Sequence, residues 1–153
     1  MKTTTAKRMI DSFHQAKYLI ETMPALEKGY TPLSIRVIDC IHSLGKKGNP
    51  VHPSEISDAL RQNRSGIART LRQLESNGAI IRKTDPEDGR SVIIVLSEEG
   101  ERIYKIYVQE YYRKLTKKLQ DIPDEEIETM TKTIAAVYEA MEKGSGNDGK
   151  GHE

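Results

Sequence analysis

Between His52 and Leu96 the hydrophobic period of the chain changes from that of helices to that of strands, and this change restricts the folds open to it more than any other feature. His52 stands where a helix N-cap belongs, before Pro53, with Glu55 placed to reach back, and Ile56, Ala59 and Leu60 give a short helix its inner face. Asn63 opens a second helix that ends near Gly78, with Ile67, Leu71 and Leu74 along one side. Ala79 to Lys83 and Ser91 to Leu96 are then β-rich, the latter holding Val92, Ile93, Ile94 and Val95. Between them Asp85-Pro86-Glu87-Asp88-Gly89-Arg90 is a run of turn formers, which makes the pair a hairpin.

The second helix divides its charge as sharply as its hydrophobicity. Arg61 to Leu74 contains Arg61, Arg64, Arg69 and Arg72 and no acid, although the whole chain has 24 Lys+Arg against 23 Asp+Glu. A net charge of +1 exerts no general pull on nucleic acid, so any attraction must come from such a local concentration. Helical geometry sets Ser65, Arg69, Arg72 and Ser76 opposite the apolar side. A helix that packs on one face and offers arginines on the other, followed by a hairpin, describes a winged helix-turn-helix, whose second helix fits a DNA major groove.

The flanks are helical. Ala6, Met9, Phe13, Ala16, Ile20 and Met23 form a narrow seam over residues 4–23, interrupted afterwards by Pro24 and Gly29. Thr31-Pro32 restarts a helix that Gly45 stops, with Leu33, Val37, Ile41 and Leu44 on one face beside Ile38 and Cys40. Ser97 caps a long helix reaching about Gln120, whose apolar set from Ile103 to Leu119 spans half the circumference and calls for more than one neighbour. After Pro123, Ile127, Met130, Ile134, Val137 and Met141 form another seam. The expected fold is mainly α with a small β-hairpin: a winged helix-turn-helix at 31–98, a helical dimerisation region made of 4–23 and 99–143, and a disordered tail at 144–153 whose glycine-rich composition cannot bury anything.

Other chemistry finds little support. Cys40, the single cysteine, excludes an intramolecular disulfide and suits a reducing cytosol. Cys40 and His42 are two apart on a helix and point to different faces, so no metal is expected, and Cys40 sits among apolar residues as a core thiol. No nucleophile–base pair, phosphate loop or spaced carboxylate pair is visible, which argues against an enzyme and leaves no cofactor to expect. No run approaches the roughly 18 apolar residues of a membrane helix, so the expected location is the cytoplasm. Tyr104, Tyr107, Tyr111 and Tyr112 either line an effector pocket, with Arg36 or His42 meeting an anion, or fill the join between the two regions.

From Val51 to Gly100 the chain resembles the MarR family of bacterial transcription regulators. The resemblance is carried by Ser54-Glu55-Ile56, Asn63-Arg64-Ser65, Leu74-Glu75-Ser76-Asn77-Gly78, the wing Asp85-Pro86-Glu87-Asp88-Gly89-Arg90, and Leu96-Ser97-Glu98-Glu99-Gly100, the wing being the most specific. With the flanking helices it extends over roughly residues 4–143. It implies a homodimer on a pseudo-palindromic DNA operator, acting as a repressor released by a small anionic or phenolic effector or by oxidation. The family's peroxide sensors generally carry their cysteine in the first helix, which here has none. By position, Asn63, Arg64, Ser65 and Arg69 look like groove and phosphate contacts, joined by Arg72 on the same face; Arg90 looks like the wing-tip arginine and Asp88 like its pairing partner. Two positions depart from the pattern: His52 replaces a common Ser or Thr cap, and Gly89 a common basic residue. A winged helix used as a protein-interaction module is the alternative, since a fold does not fix a function. The acid-free arginine face argues for DNA.

Overall fold

The computed structural model describes residues 1–21 and 23–145. In order come α1 (Thr3–Glu21), α2 (Pro32–Gly45), α3 (Pro53–Leu60), α4 (Arg64–Ser76), β1 (Ile80–Thr84), β2 (Val92–Leu96), α5 (Glu98–Tyr104), a π-helical turn (Lys105–Gln109), α6 (Glu110–Lys118) and α7 (Asp124–Ser145). Two compact units divide the chain between Val108 and Gln109.

In the first unit α2 is the central helix. Thr31 and Ser34 cap it reciprocally: Thr31 Oγ1 accepts from the Ser34 amide at 3.1 Å and Ser34 Oγ from the Thr31 amide at 2.8 Å. Val37, Ile38 and Ile41 then enter a core shared with Ile56, Ile67, Leu71, Leu74, Ile94 and Ile103. The hairpin pairs antiparallel from Ile80 opposite Leu96 to Thr84 opposite Val92, and the Ile94 amide donates to the Val51 carbonyl at 2.8 Å, tying β2 to the segment before α3. Arg61 closes α3 in the left-handed region, φ 50° and ψ 44°, with the Gln62 amide returning to the Ser57 carbonyl at 3.0 Å.

Ser97 caps α5 by accepting from the Gly100 amide at 3.1 Å, and its own amide donates to the Ala79 carbonyl at 3.0 Å. Gly100 is required at this crossing, because a Cβ there would stand 2.1 Å from the Ala79 oxygen. Gly100→Ala is therefore expected to destabilise the fold by about 1–3 kcal/mol through overpacking. Gly89→Ala, where nothing lies within 4 Å of the added carbon, is the control. Denaturant unfolding of both variants checks this, and equal midpoints would contradict the packing described.

Several local expectations need correction. Gly45 is the last residue of α2 rather than its left-handed stop; that conformation falls to Gly48, φ 76°. On α3 Ala59 is exposed, and Ser57 is buried in its place, donating to the Pro53 carbonyl at 3.2 Å. The long helix after Ser97 is interrupted by the π turn and ends at Lys118. No residue of α1 is buried, and its outward apolar residues include Ile10, Tyr18 and Leu19 besides the expected seam.

The second unit holds α6 and α7. Tyr111 and Tyr112 meet edge to face at 5.4 Å. None of residues 124–143 is buried, and Met130, Ile134, Tyr138 and Met141 stand exposed along α7. The helix continues to Ser145, two residues into the stretch expected to be disordered. The remainder of that expected tail, 146–153, lies outside the described residues.

Candidate nucleic-acid interface

Asn63 and Ser65 are built into the start of α4. Asn63 Oδ1 accepts from the Gly66 amide at 2.6 Å and from Ser65 Oγ at 3.0 Å, satisfying one of the helix's unpaired amides. The structure therefore gives these two residues a capping role in addition to the groove role expected of them. Beyond the cap, Ile67, Leu71 and Leu74 are buried at 1% exposure or less, which fixes the helix's rotation. Arg64, Arg69 and Arg72 are turned outward by that packing and are exposed.

The wing is held by two aspartates. Asp85, with 6% exposure, is the one buried acid among the described residues. Its Oδ1 accepts from the Glu87 amide at 2.9 Å, its Oδ2 lies 2.8 Å from His52 Nε2, and its own amide donates to the Ser91 carbonyl at 2.9 Å. The Glu87 amide foremost, then His52, hold its carboxyl below the usual range. Asp88 supports Arg90 in a way the sequence did not indicate. Its Oδ1 accepts from the Arg90 amide at 3.0 Å and its Oδ2 from Ser91 Oγ at 2.8 Å. Both carboxylate oxygens serve the turn, and the contact of Asp88 with Arg90, its expected partner, is made to the backbone amide. Residues 86–90 are all exposed.

Several arginines are engaged by carboxylates. Arg82 donates to Glu75 at 2.9 Å, and Arg113 to Glu110 at 2.8 Å. Arg102 meets both oxygens of Glu27, at 3.0 and 2.8 Å, and both of Glu99 at 2.8 Å. Arg64, Arg69, Arg72 and Arg90, by contrast, have no ion-pair partner among the described residues. Exposed guanidinium groups kept clear of carboxylates are suited to phosphate oxygens and guanine edges.

Set beside known proteins, residues 31–92 match the sequence pattern of the MarR family. These residues form a MarR-family region. The regulator PecS of Dickeya dadantii (strain 3937) is 33% identical over 106 residues, which cover 67% of this chain and 64% of PecS. The matches to curated relatives span 51% to 64% of those proteins' own lengths, less than two thirds. Among solved structures the fold recurs in FabT of Streptococcus pneumoniae, in complex with DNA, at 23% identity, a TM-score of 0.66 and coverage of 93% of this chain and 99% of that one. It recurs again in the transcriptional regulator PcaV of Streptomyces coelicolor, in complex with its natural ligand, at 22% identity, a TM-score of 0.66 and coverage of 87% and 91%.

The remaining candidates are mostly occupied. His42 stacks on Tyr104 at 3.6 Å, and its Nδ1 lies 3.3 Å from Glu101 Oε2. The Tyr107 hydroxyl accepts from the Glu27 amide at 3.2 Å, while Arg36 is exposed. Cys40 is buried, and burial, followed by Asp39, pushes its thiol up, away from the reactive thiolate. Among the described residues no cluster of His, Cys, Asp and Glu could hold a metal, and no helix is long and apolar enough to cross a membrane. The Glu27–Arg102–Glu99 network, to which the Tyr30 hydroxyl donates at 3.1 Å, was not foreseen. Its partners lie as many as 75 residues apart, beyond any local pattern.

Proposed function

We propose that this protein is a DNA-binding transcriptional repressor that acts as a homodimer on a pseudo-palindromic operator and is released by a small anionic or phenolic effector. The observation that carries the reading is the unpaired set Arg64, Arg69 and Arg72 on the outer face of α4, with Arg90 at the wing tip. The α4 arginines enter the major groove, where Arg reads guanine bidentately, and Arg90 enters the adjoining minor groove, whose narrow stretches concentrate negative potential. Asn63 and Ser65 contribute by fixing the first turn of α4 and by adding groove or phosphate contacts there; Asp88 supports Arg90. The apolar faces of α1 and α7, exposed among the described residues, supply the dimer contacts. The effector is proposed by analogy with relatives such as PcaV, crystallised with its natural ligand. A cytoplasmic, non-enzymatic role fits the family and the residues at the site.

Selection of genomic fragments by the purified protein tests the reading, and it is expected to return a palindromic sequence. Recovery of no preferred sequence would favour a protein-interaction module. On the selected duplex Arg69→Ala and Arg72→Ala are expected to differ in kind. A base reader costs about 1–3 kcal/mol and relaxes one operator position, whereas a phosphate contact weakens all sequences alike and flattens the salt dependence. If both variants bind like the parent, α4 is not the reading helix.

A further inference from the structure

The N-cap of α3 and the base of the wing meet at a single imidazole. His52 Nε2 lies 2.8 Å from Asp85 Oδ2 in the wing, and His52 Nδ1 lies 3.1 Å from Glu55 Oε2 on α3. Glu55 Oε2 also accepts from the His52 amide at 2.8 Å. An ionised carboxylate only accepts hydrogen bonds, and a neutral imidazole has one N–H to give. Both contacts are made together only by the imidazolium. On the wing side the partner is the buried Asp85, whose amide and other oxygen organise the turn from β1 toward Ser91. Removing the proton leaves a ring nitrogen lone pair facing either Asp85 or Glu55 and takes the positive charge from the bond that remains, so in either tautomer the link between α3 and the wing loosens.

We infer that His52 is a positioning residue for the wing, holding Asp85 in place while protonated, so that the wing's engagement of DNA weakens as the imidazole loses its proton. This rests on the reading of the wing as a DNA contact. The charged groups facing the ring are Asp85 from the wing and Glu55 from α3. Hydrogen bonds from the ring to Asp85 first and Glu55 second raise the affinity of His52 for its proton, against a smaller opposing effect of burial. A group whose folded pKa is raised contributes fully below its unfolded value, about 6.5 for histidine, and the contribution is lost as pH rises through the folded value. The weakening therefore falls on the alkaline side of an ordinary histidine titration.

The test uses the full chain, with NMR of the His52 ring, hydrogen exchange of the Asp85 and Ser91 amides without DNA, and anisotropy titrations with the selected duplex at fixed salt. Parent, His52→Gln and Asp85→Asn are compared from about pH 6 to about pH 9, bracketing a raised histidine titration. In the parent the ring is expected to titrate above the ordinary range, and amide protection, corrected for intrinsic exchange, to fall at least about threefold across that titration. Parent affinity for the duplex is expected to fall at least about threefold more than that of His52→Gln over the same range. Asp85→Asn should bring the ring titration back down. A ring titrating at or below the ordinary value, or matching pH profiles for parent and His52→Gln, overturns the inference. If His52→Gln does not fold, the parent's ring titration and that of Asp85→Asn decide. If the selection returns no duplex while ring and exchange behave as stated, the DNA reading fails and the hold on the wing stands.

Discussion

Ile134→Asp is expected to yield monomers at micromolar concentration and to abolish operator binding with them. Ile134 stands 44% exposed at the centre of α7, between Met130 and Val137 on the same seam, so in the protomer the new carboxylate would meet water and the fold should survive. In the proposed dimer the same carboxylate would be buried without a partner. An uncompensated buried charge costs on the order of 3–5 kcal/mol, and the symmetry of a homodimer introduces it twice. Sedimentation velocity of parent and variant, with circular dichroism to verify folding, measures the first effect, and anisotropy on the selected duplex the second. A variant that remains dimeric, or a parent that is already a stable monomer, would remove α7 from the assembly.

Arg90→Ala is expected to weaken specific binding at least tenfold, about 1.4 kcal/mol by affinity arithmetic, with the loss enlarged by two wings per dimer. No other basic side chain lies between Asp85 and Leu96 to take its place. Folding stability should change by less than about 0.5 kcal/mol, as for an exposed residue without packing. The Asp88 carboxylate holds the backbone amide of Arg90, which alanine retains, so the turn keeps its bonds. Titration at fixed salt beside a thermal melt separates the outcomes. Unchanged affinity would exclude the wing from recognition, and a collapsed melt would show that the guanidinium is structural.

What the sequence revealed was whatever depends on near neighbours. The caps at Thr31, Asn63 and Ser97, the hairpin and the split between the packed and charged sides of α4 all follow from residues within a few positions of one another, and the structure has them. The charged face was legible because a helix repeats its geometry every 3.6 residues. The hold of His52 on Asp85 was not, since 33 residues separate them and only the fold brings them together. Asp88 was assigned to the right neighbour, though a sequence does not distinguish a bond to an amide from one to a side chain. The π turn at Lys105–Gln109 escaped because a turn with i→i+5 bonding takes up more residues than the α-helical template, which loses phase across it.

The left-handed Arg61 carries a lesson for redesign. Its backbone, φ 50°, favours glycine, and an arginine there forgoes roughly 1 kcal/mol relative to a residue without a Cβ. A procedure that chose residues for fit to the backbone alone would overwrite Arg61 first. It would gain a more relaxed turn between α3 and α4 and delete a cation three residues before α4 begins. At this position an unstrained backbone and a cationic side chain call for different amino acids, and the chain carries the cation.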